Sequence, residues 1–127
     1  GPQEPWSWSD DLTGWDRLRY IANCFTQLRW CDVAGRLDLT GERRHHKGHK
    51  RSLPWFLVPG RASAKVPILF GHWARLDREG YKRPDRHRVH PLDTGCANRG
   101  HFTALHLEKG RYTRVRCLTE AVPGAEG

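Results

Sequence analysis

The residues best suited to chemistry in this chain lie in the short run Phe70-Gly71-His72-Trp73. A histidine directly after an apolar, strand-like segment can ligate a metal through imidazole or move a proton near neutral pH. Gly71 in front of it lets the backbone come close to another group. The bland alternative is a ring satisfied by backbone hydrogen bonds. Arg17, Arg19, Asn23 and Arg29 form a second group, with Arg17 and Arg19 beside the apolar face of a helix and Asn23 and Arg29 continuing its polar one. Guanidinium forks match phosphate oxygens, so this side either contacts a phosphorylated ligand or is an ordinary solvated basic face. Asp93, in Leu92-Asp93-Thr94-Gly95-Cys96, either accepts the second N–H of the His72 ring or hydrogen-bonds its own turn; the structural role is the expected one.

Other reactive residue types carry less. Cys24, Cys31, Cys96 and Cys117 are far apart and form no CxxC pair, so free thiols are expected and a disulfide framework is not. Cys96 reads as a small packing residue, because no histidine or asparagine at a recognisable spacing would make it a nucleophile. His45, His46 and His49 sit among Arg and Lys. That positive charge opposes a bound cation, and the run reads as a loop insertion.

The elements that must position these residues follow from periodicity. Trp15, Leu18, Ile21, Ala22, Phe25 and Leu28 recur at three- and four-residue spacing, which predicts a helix from Thr13 to about Trp30. Thr13 and Asp16 form a weak capping signature, and Gly35 marks the stop. Val66-Pro67-Ile68-Leu69-Phe70 is a continuous apolar run with the pattern of a strand buried on both faces. A strand over 89–92 is expected next. Two β-prone runs at 102–108 and 111–117 predict a hairpin turning at Lys109-Gly110. The polar stretches 41–51 and 77–90 read as loops.

Bulk properties bound the rest. A chain of 127 residues suffices for one small domain. Its net charge of +8 and sequence pI of about 9.9 favour polyanionic partners. Six tryptophans and a 37% apolar fraction argue against wholesale disorder, although mean hydropathy is −0.78. No run approaches the roughly 18 apolar residues that span a bilayer. The chain contains no methionine, from which a processed or partial chain is expected. A cytoplasmic location without a membrane partner is expected too.

Seven separated segments together resemble the symmetrical diadenosine tetraphosphatases, or bis(5′-nucleosyl)-tetraphosphatases, of the calcineurin-like metallophosphoesterase superfamily. They are Trp8-Ser9-Asp10-Asp11-Leu12-Thr13-Gly14, the helix from Arg17 through Thr26, Gly35-Arg36-Leu37-Asp38, Pro54-Trp55-Phe56, Phe70-Gly71-His72-Trp73-Ala74, Leu92-Asp93-Thr94-Gly95-Cys96 and Phe102-Thr103-Ala104-Leu105. Order and approximate spacing match over nearly the whole chain, which corresponds to roughly the second, C-terminal half of such an enzyme.

The resemblance implies an α/β (α+β) fold: the C-terminal part of a calcineurin-like β-sandwich flanked by helices, incomplete in this chain. Strands 66–70 and 89–92 and the 102–117 hairpin would join one sheet, with the helix alongside. It implies a single partial domain over 1–127, with a helical segment at 1–40, a variable loop at 41–65, strands and hairpin at 66–118 and a tail at 119–127. It implies cleavage of diadenosine tetraphosphate into two ADP by a dinuclear centre of Mn²⁺- or Co²⁺-like ions. His72 would be a metal ligand, Gly71, Trp73 and Asp93 would support it, and Arg17, Arg19, Asn23 and Arg29 would bind the substrate. The superfamily motifs GDxHG, GDxxDRG and GNHE do not occur here, so the chain alone is expected to be inactive and to need a missing N-terminal half as partner. Two departures stand out: Gln27 where a basic residue is usual, and Ala97-Asn98-Arg99-Gly100 where the family turn reads Trp-Gly-Gly. The competing readings are a small basic nucleic-acid- or nucleotide-binding module without catalysis, and a degenerate relative. A nucleic-acid partner is not expected, since no zinc-finger, RRM or helix-turn-helix pattern accompanies the charge.

Overall fold

The computed structural model describes residues 4–40, 52–74 and 76–118. The histidine run at 45–49 and the tail at 119–127 lie outside the described residues. The chain is mixed α/β and divides into two compact units, Gly1–Ala62 and Ser63–Gly127.

In the first unit, helix α1 spans Gly14–Thr26, with Thr13 extended at its N-cap and no side-chain cap hydrogen bond. It ends four residues before the expected stop. Trp30–Cys31 instead forms strand β1, pairing antiparallel with β2 (Leu37–Asp38) on one side and β3 (Leu53–Pro54) on the other. Trp30 and Cys31 are both buried. Two ladders plus that burial outweigh one more helical turn, for which sequence spacing carries no signal. Gly35, read as the helix stop, serves the β1–β2 turn: at φ +84 it occupies a region open to glycine. Asp32 closes the turn, its carboxylate accepting from the backbone N–H of Ala34 and Arg36 at 2.9 Å each. Leu37, Pro54 and Phe56 complete the buried set. Residues 53–57, assigned above to a variable loop, form β3 and a 3₁₀ turn, Trp55–Leu57.

Helix α1 contributes no buried residue. Its inner side carries Tyr20, whose ring lies 5.6 Å from that of Trp8. Trp15, Leu18 and Phe25 are 79%, 57% and 87% exposed. The periodicity that predicts the helix therefore marks a stripe that this chain leaves uncovered.

In the second unit, β4 (Ile68–Phe70) runs parallel to β5 (Val89–Pro91), with Ile68 opposite Val89 and Phe70 opposite Pro91. Val89 has no exposed surface, a burial that contributes roughly 1.5–3 kcal/mol. The apolar run at 66–70 is less enclosed than expected: Val66 is 57% and Leu69 39% exposed. The stretch 77–90 holds a 3₁₀ turn, Pro84–His87, pinned by Arg83, which donates to Asp85 at 3.0 and 2.8 Å. A separate antiparallel sheet runs β6 (Asp93–Thr94), β7 (His101–His106), β8 (Arg111–Arg116). The one sheet expected for this region is thus two. After Pro91 the chain changes partner, and Asp93 and Thr94 pair with Phe102 and His101 instead of continuing beside β4. The hairpin forms as expected, with Gly110 at φ +61, although the turn between His106 and Arg111 is longer than a two-residue turn. His90 Nδ1 and the Tyr112 hydroxyl hydrogen-bond, linking the two sheets of this unit.

Candidate functional site at the strand ends of the second unit

Parallel strands gather functional groups beyond their carboxyl ends, where successive loops diverge. Here β4 leads into Gly71-His72-Trp73 and β5 into Leu92-Asp93. The pairing extends one step further, Leu92 N–H donating to Phe70 O at 2.8 Å. His72 is exposed and adopts φ +65, a left-handed conformation disfavoured for any residue with a Cβ. Such local strain concentrates at functional positions. Trp73 next to it is 2% exposed and anchors the loop. Asp93 accepts from the Gly95 N–H at 3.1 Å, the Asx arrangement of a turn, which is the structural role expected of it.

That turn is elaborate. Gly95 has φ +78, a 3₁₀ turn follows at Cys96–Asn98, and Arg99 closes it at φ +63. The left-handed geometry thus falls on an arginine, within the segment that departs from the family turn. Gly100 is required here for space: an added Cβ would sit 2.7 Å from the Gly95 carbonyl oxygen. Thr94 Oγ1 donates to His101 O at 2.6 Å, joining the turn to β7. Cys96 and Cys117 form a disulfide with Cα atoms 5.3 Å apart. This corrects the expectation of four free thiols. The partners are 21 residues apart in sequence, and only the return of β8 brings them within bridging distance. Cys24 and Cys31 remain free. Burial, reinforced by the neighbouring Cys24, pushes the Cys31 thiol up to about 12.

Between these loops lies a cavity of about 510 Å³ whose wall includes Trp73, Tyr81, Asp93 and Arg99. Arg78, Lys82 and Arg114 also line it. The structure brings Trp73 and Asp93 together there, whereas His72 is not among the lining residues. Arg78, Lys82, Arg99 and Arg114 were missed as site residues because they come from a segment read as loop, a turn and a hairpin strand. The one sequence signal was Tyr81 beside a basic cluster.

Arg17, Arg19, Asn23 and Arg29 lie in the first unit. The Arg17 guanidinium stands 4.7 Å from the Trp8 ring centroid, a cation–π contact. Arg19 donates to Glu4 O at 3.4 Å and approaches Asp16 at 3.5 Å. Asn23 Nδ2 is buried without a hydrogen-bond partner among the described residues. Arg29 follows the helix, its carbonyl accepting from the Trp55 N–H at 3.0 Å. Among the described residues, no group of three or more His, Cys, Asp or Glu side chains is arranged to hold a metal ion. Nor is any helix there long and apolar enough to cross a membrane.

No family model matches the chain. Individual proteins do. The chain is 47% identical over 105 residues to a protein of Legionella pneumophila (strain Corby) named "Bis(5′-nucleosyl)-tetraphosphatase, symmetrical", covering 83% of this chain and 37% of that one. A protein of the same name from Pseudomonas entomophila (strain L48) is 44% identical over 120 residues, 94% of this chain and 41% of its own length. A third, from Nitrosococcus oceani, is 47% identical over 107 residues, 84% of this chain and 37% of its own. The chain therefore spans 37–41% of the length of the curated relatives it matches. Its sequence places it in the symmetrical bis(5′-nucleosyl)-tetraphosphatase family, as the counterpart of a C-terminal portion of those proteins.

Proposed function

We propose that the protein to which this chain belongs hydrolyses diadenosine tetraphosphate symmetrically, releasing two ADP, on a calcineurin-like metallophosphoesterase fold. The observation that carries the reading is identity of 44–47% to symmetrical tetraphosphatases over 83–94% of the chain. In this reading His72 is one ligand of a Mn²⁺- or Co²⁺-type dinuclear centre. Each divalent ion takes three to six or more ligands. The described residues do not fit such a centre, because His72 is not part of any cluster of donor side chains.

The contribution of the chain's own residues is positional. Trp73 fixes the loop that presents His72 and Asp93 holds the adjoining turn, whereas at Gly71 an added Cβ would meet nothing within 4 Å. Arg17 and Arg19 bind phosphate oxygens of the bridge only by exchanging their present contacts with Trp8 and Glu4. Asn23 brings an amide N–H₂ that is buried without an acceptor among the described residues, and Arg29 lies beyond the end of the helix. The exposed stripe Trp15, Leu18 and Phe25 supports a larger protein in which other residues cover it.

A chimera tests the proposal: the portion of the Legionella relative preceding the matched region, fused ahead of Trp8. With Mn²⁺ or Co²⁺ it should release ADP as the sole nucleotide product on anion-exchange chromatography. The 127-residue chain alone should release none, and His72→Ala in the chimera should abolish turnover. Turnover by the chain alone would overturn the positional reading. Release of AMP and ATP by the chimera would overturn the symmetrical one.

A further inference from the structure

We infer that the cavity of the second unit is a metal-independent anion site for a short polyphosphate chain, either free or carried on a nucleoside. Its volume of about 510 Å³ lies within the range of small-ligand sites. The fixed cations Arg78, Lys82, Arg99 and Arg114 outnumber the carboxylates Asp77 and Asp93 in its wall by four to two. Among the described residues neither carboxylate neutralises a cation: Asp77 accepts from the backbone N–H of Arg78 at 2.8 Å, and Asp93 from that of Gly95 at 3.1 Å. None of the four cations forms an ion pair among the described residues. The nearby Arg83 differs, since its charge is met by Asp85 at 2.8 Å.

The four cations arrive from three separate segments: the stretch after β4, the turn after β6, and β8. Gathering like charges into one concavity costs folding free energy, and a multivalent anion relieves that cost. The buried Trp73 and Leu76, 2% and 3% exposed, give the cavity a low-dielectric wall that concentrates the field. The wall carrying Arg99 is fixed in place by the Cys96–Cys117 disulfide. The Gly100 N–H, bonded to Gly95 O at 2.8 Å, secures the same turn. Several closely spaced phosphoryl oxygens suit guanidinium forks converging from different directions, and Tyr81 in the wall offers a ring on which a base can stack. An extended nucleic acid fits less well, because the cations face a bounded cavity and not a continuous groove.

The site does not depend on the hydrolase reading: the chimera can fail to cleave while the chain binds polyphosphate, and the reverse. Isothermal titration of the 127-residue chain in EDTA at low ionic strength tests it, with tripolyphosphate, ATP, adenosine and a single-stranded oligonucleotide as probes. Tripolyphosphate and ATP should bind one per chain and adenosine should not. Tighter binding of ATP assigns a nucleoside-bearing ligand, and equal binding assigns the phosphate chain alone. Arg99→Gln and Arg114→Gln should each weaken binding roughly 10-fold, and Arg114→Lys should recover part of the loss. Arg111→Gln, the same charge change on the opposite face of β8, should leave affinity unchanged, with circular dichroism confirming the fold of each variant. No saturable polyphosphate binding, unchanged affinity in both glutamine variants, or tighter binding of the oligonucleotide than of tripolyphosphate would each overturn the site.

Discussion

Replacing His72 by glycine should leave the chain more stable than replacing it by alanine, while either change removes the side chain on which the proposed chemistry rests. At φ +65 the Cβ of residue 72 crowds its own carbonyl group, a conformation costing roughly 1–2 kcal/mol for a residue other than glycine. Glycine avoids that cost but brings back roughly 0.5–1 kcal/mol of unfolded-state entropy. The difference leaves His72→Gly more stable than His72→Ala by about 1 kcal/mol, since alanine keeps the Cβ and loses only the ring. The position is exposed, so no cavity forms in either variant and the comparison isolates the backbone. For a unit of some 60–100 residues this corresponds to a rise in Tm of about 4–8 °C, readable by circular dichroism and confirmed by urea unfolding. A glycine variant no more stable than the alanine variant would refute the reasoning, because it would mean that residue 72 is not held left-handed. In the chimera both variants should be inactive, so the expected outcome is a difference in stability between two variants that have lost function alike.

The disulfide between Cys96 and Cys117 closes a loop of 21 residues, for which chain entropy predicts about 3 kcal/mol. Urea unfolding with and without reductant should show a loss of that order, and thiol titration of the denatured oxidised chain should find Cys24 and Cys31 alone. The thiol of Cys31, raised by burial to about 12, binds its proton more tightly in the folded chain than in the unfolded one. Its contribution is therefore complete below the unfolded value of 9.0 and declines as pH rises from there towards 12, with a limiting slope of about 1.4 kcal/mol per pH unit. That slope should be smaller in Cys31→Ala when urea unfolding is followed across this window. Phe56, 3% exposed, should cost roughly 3–5 kcal/mol on replacement by alanine. Phe25→Gln, at 87% exposure, should change unfolding free energy by no more than about 0.5 kcal/mol.

Short-range patterns were legible in the sequence. Helix α1 and the β7–β8 hairpin each follow from the spacing of neighbouring residues, with Gly110 in the hairpin turn, although α1 ends four residues before that spacing put its stop. The β4–His72 junction was legible for the same reason, as an apolar run ending in glycine. Boundaries governed by distant partners were not. Trp30 stands at the end of the expected helix, yet Trp30 and Cys31 pair with residues six to eight and more than twenty positions away, and no local signal announces that. Likewise the Asp93 turn was readable as an Asx motif, whereas the left-handed Arg99 inside it was not.

The sequence by itself determined which side chains can do chemistry, and through its ordered segments it determined kinship with the tetraphosphatases. Both reside in residue identity and local order, which folding does not alter. Only the tertiary structure decided that Cys96 meets Cys117 and that His72 adopts a left-handed backbone. It alone decided that four arginine and lysine side chains from three segments converge on one cavity. Those outcomes depend on where β5 hands over to β6 and where β8 returns, through contacts between residues remote along the chain that periodicity and spacing do not encode.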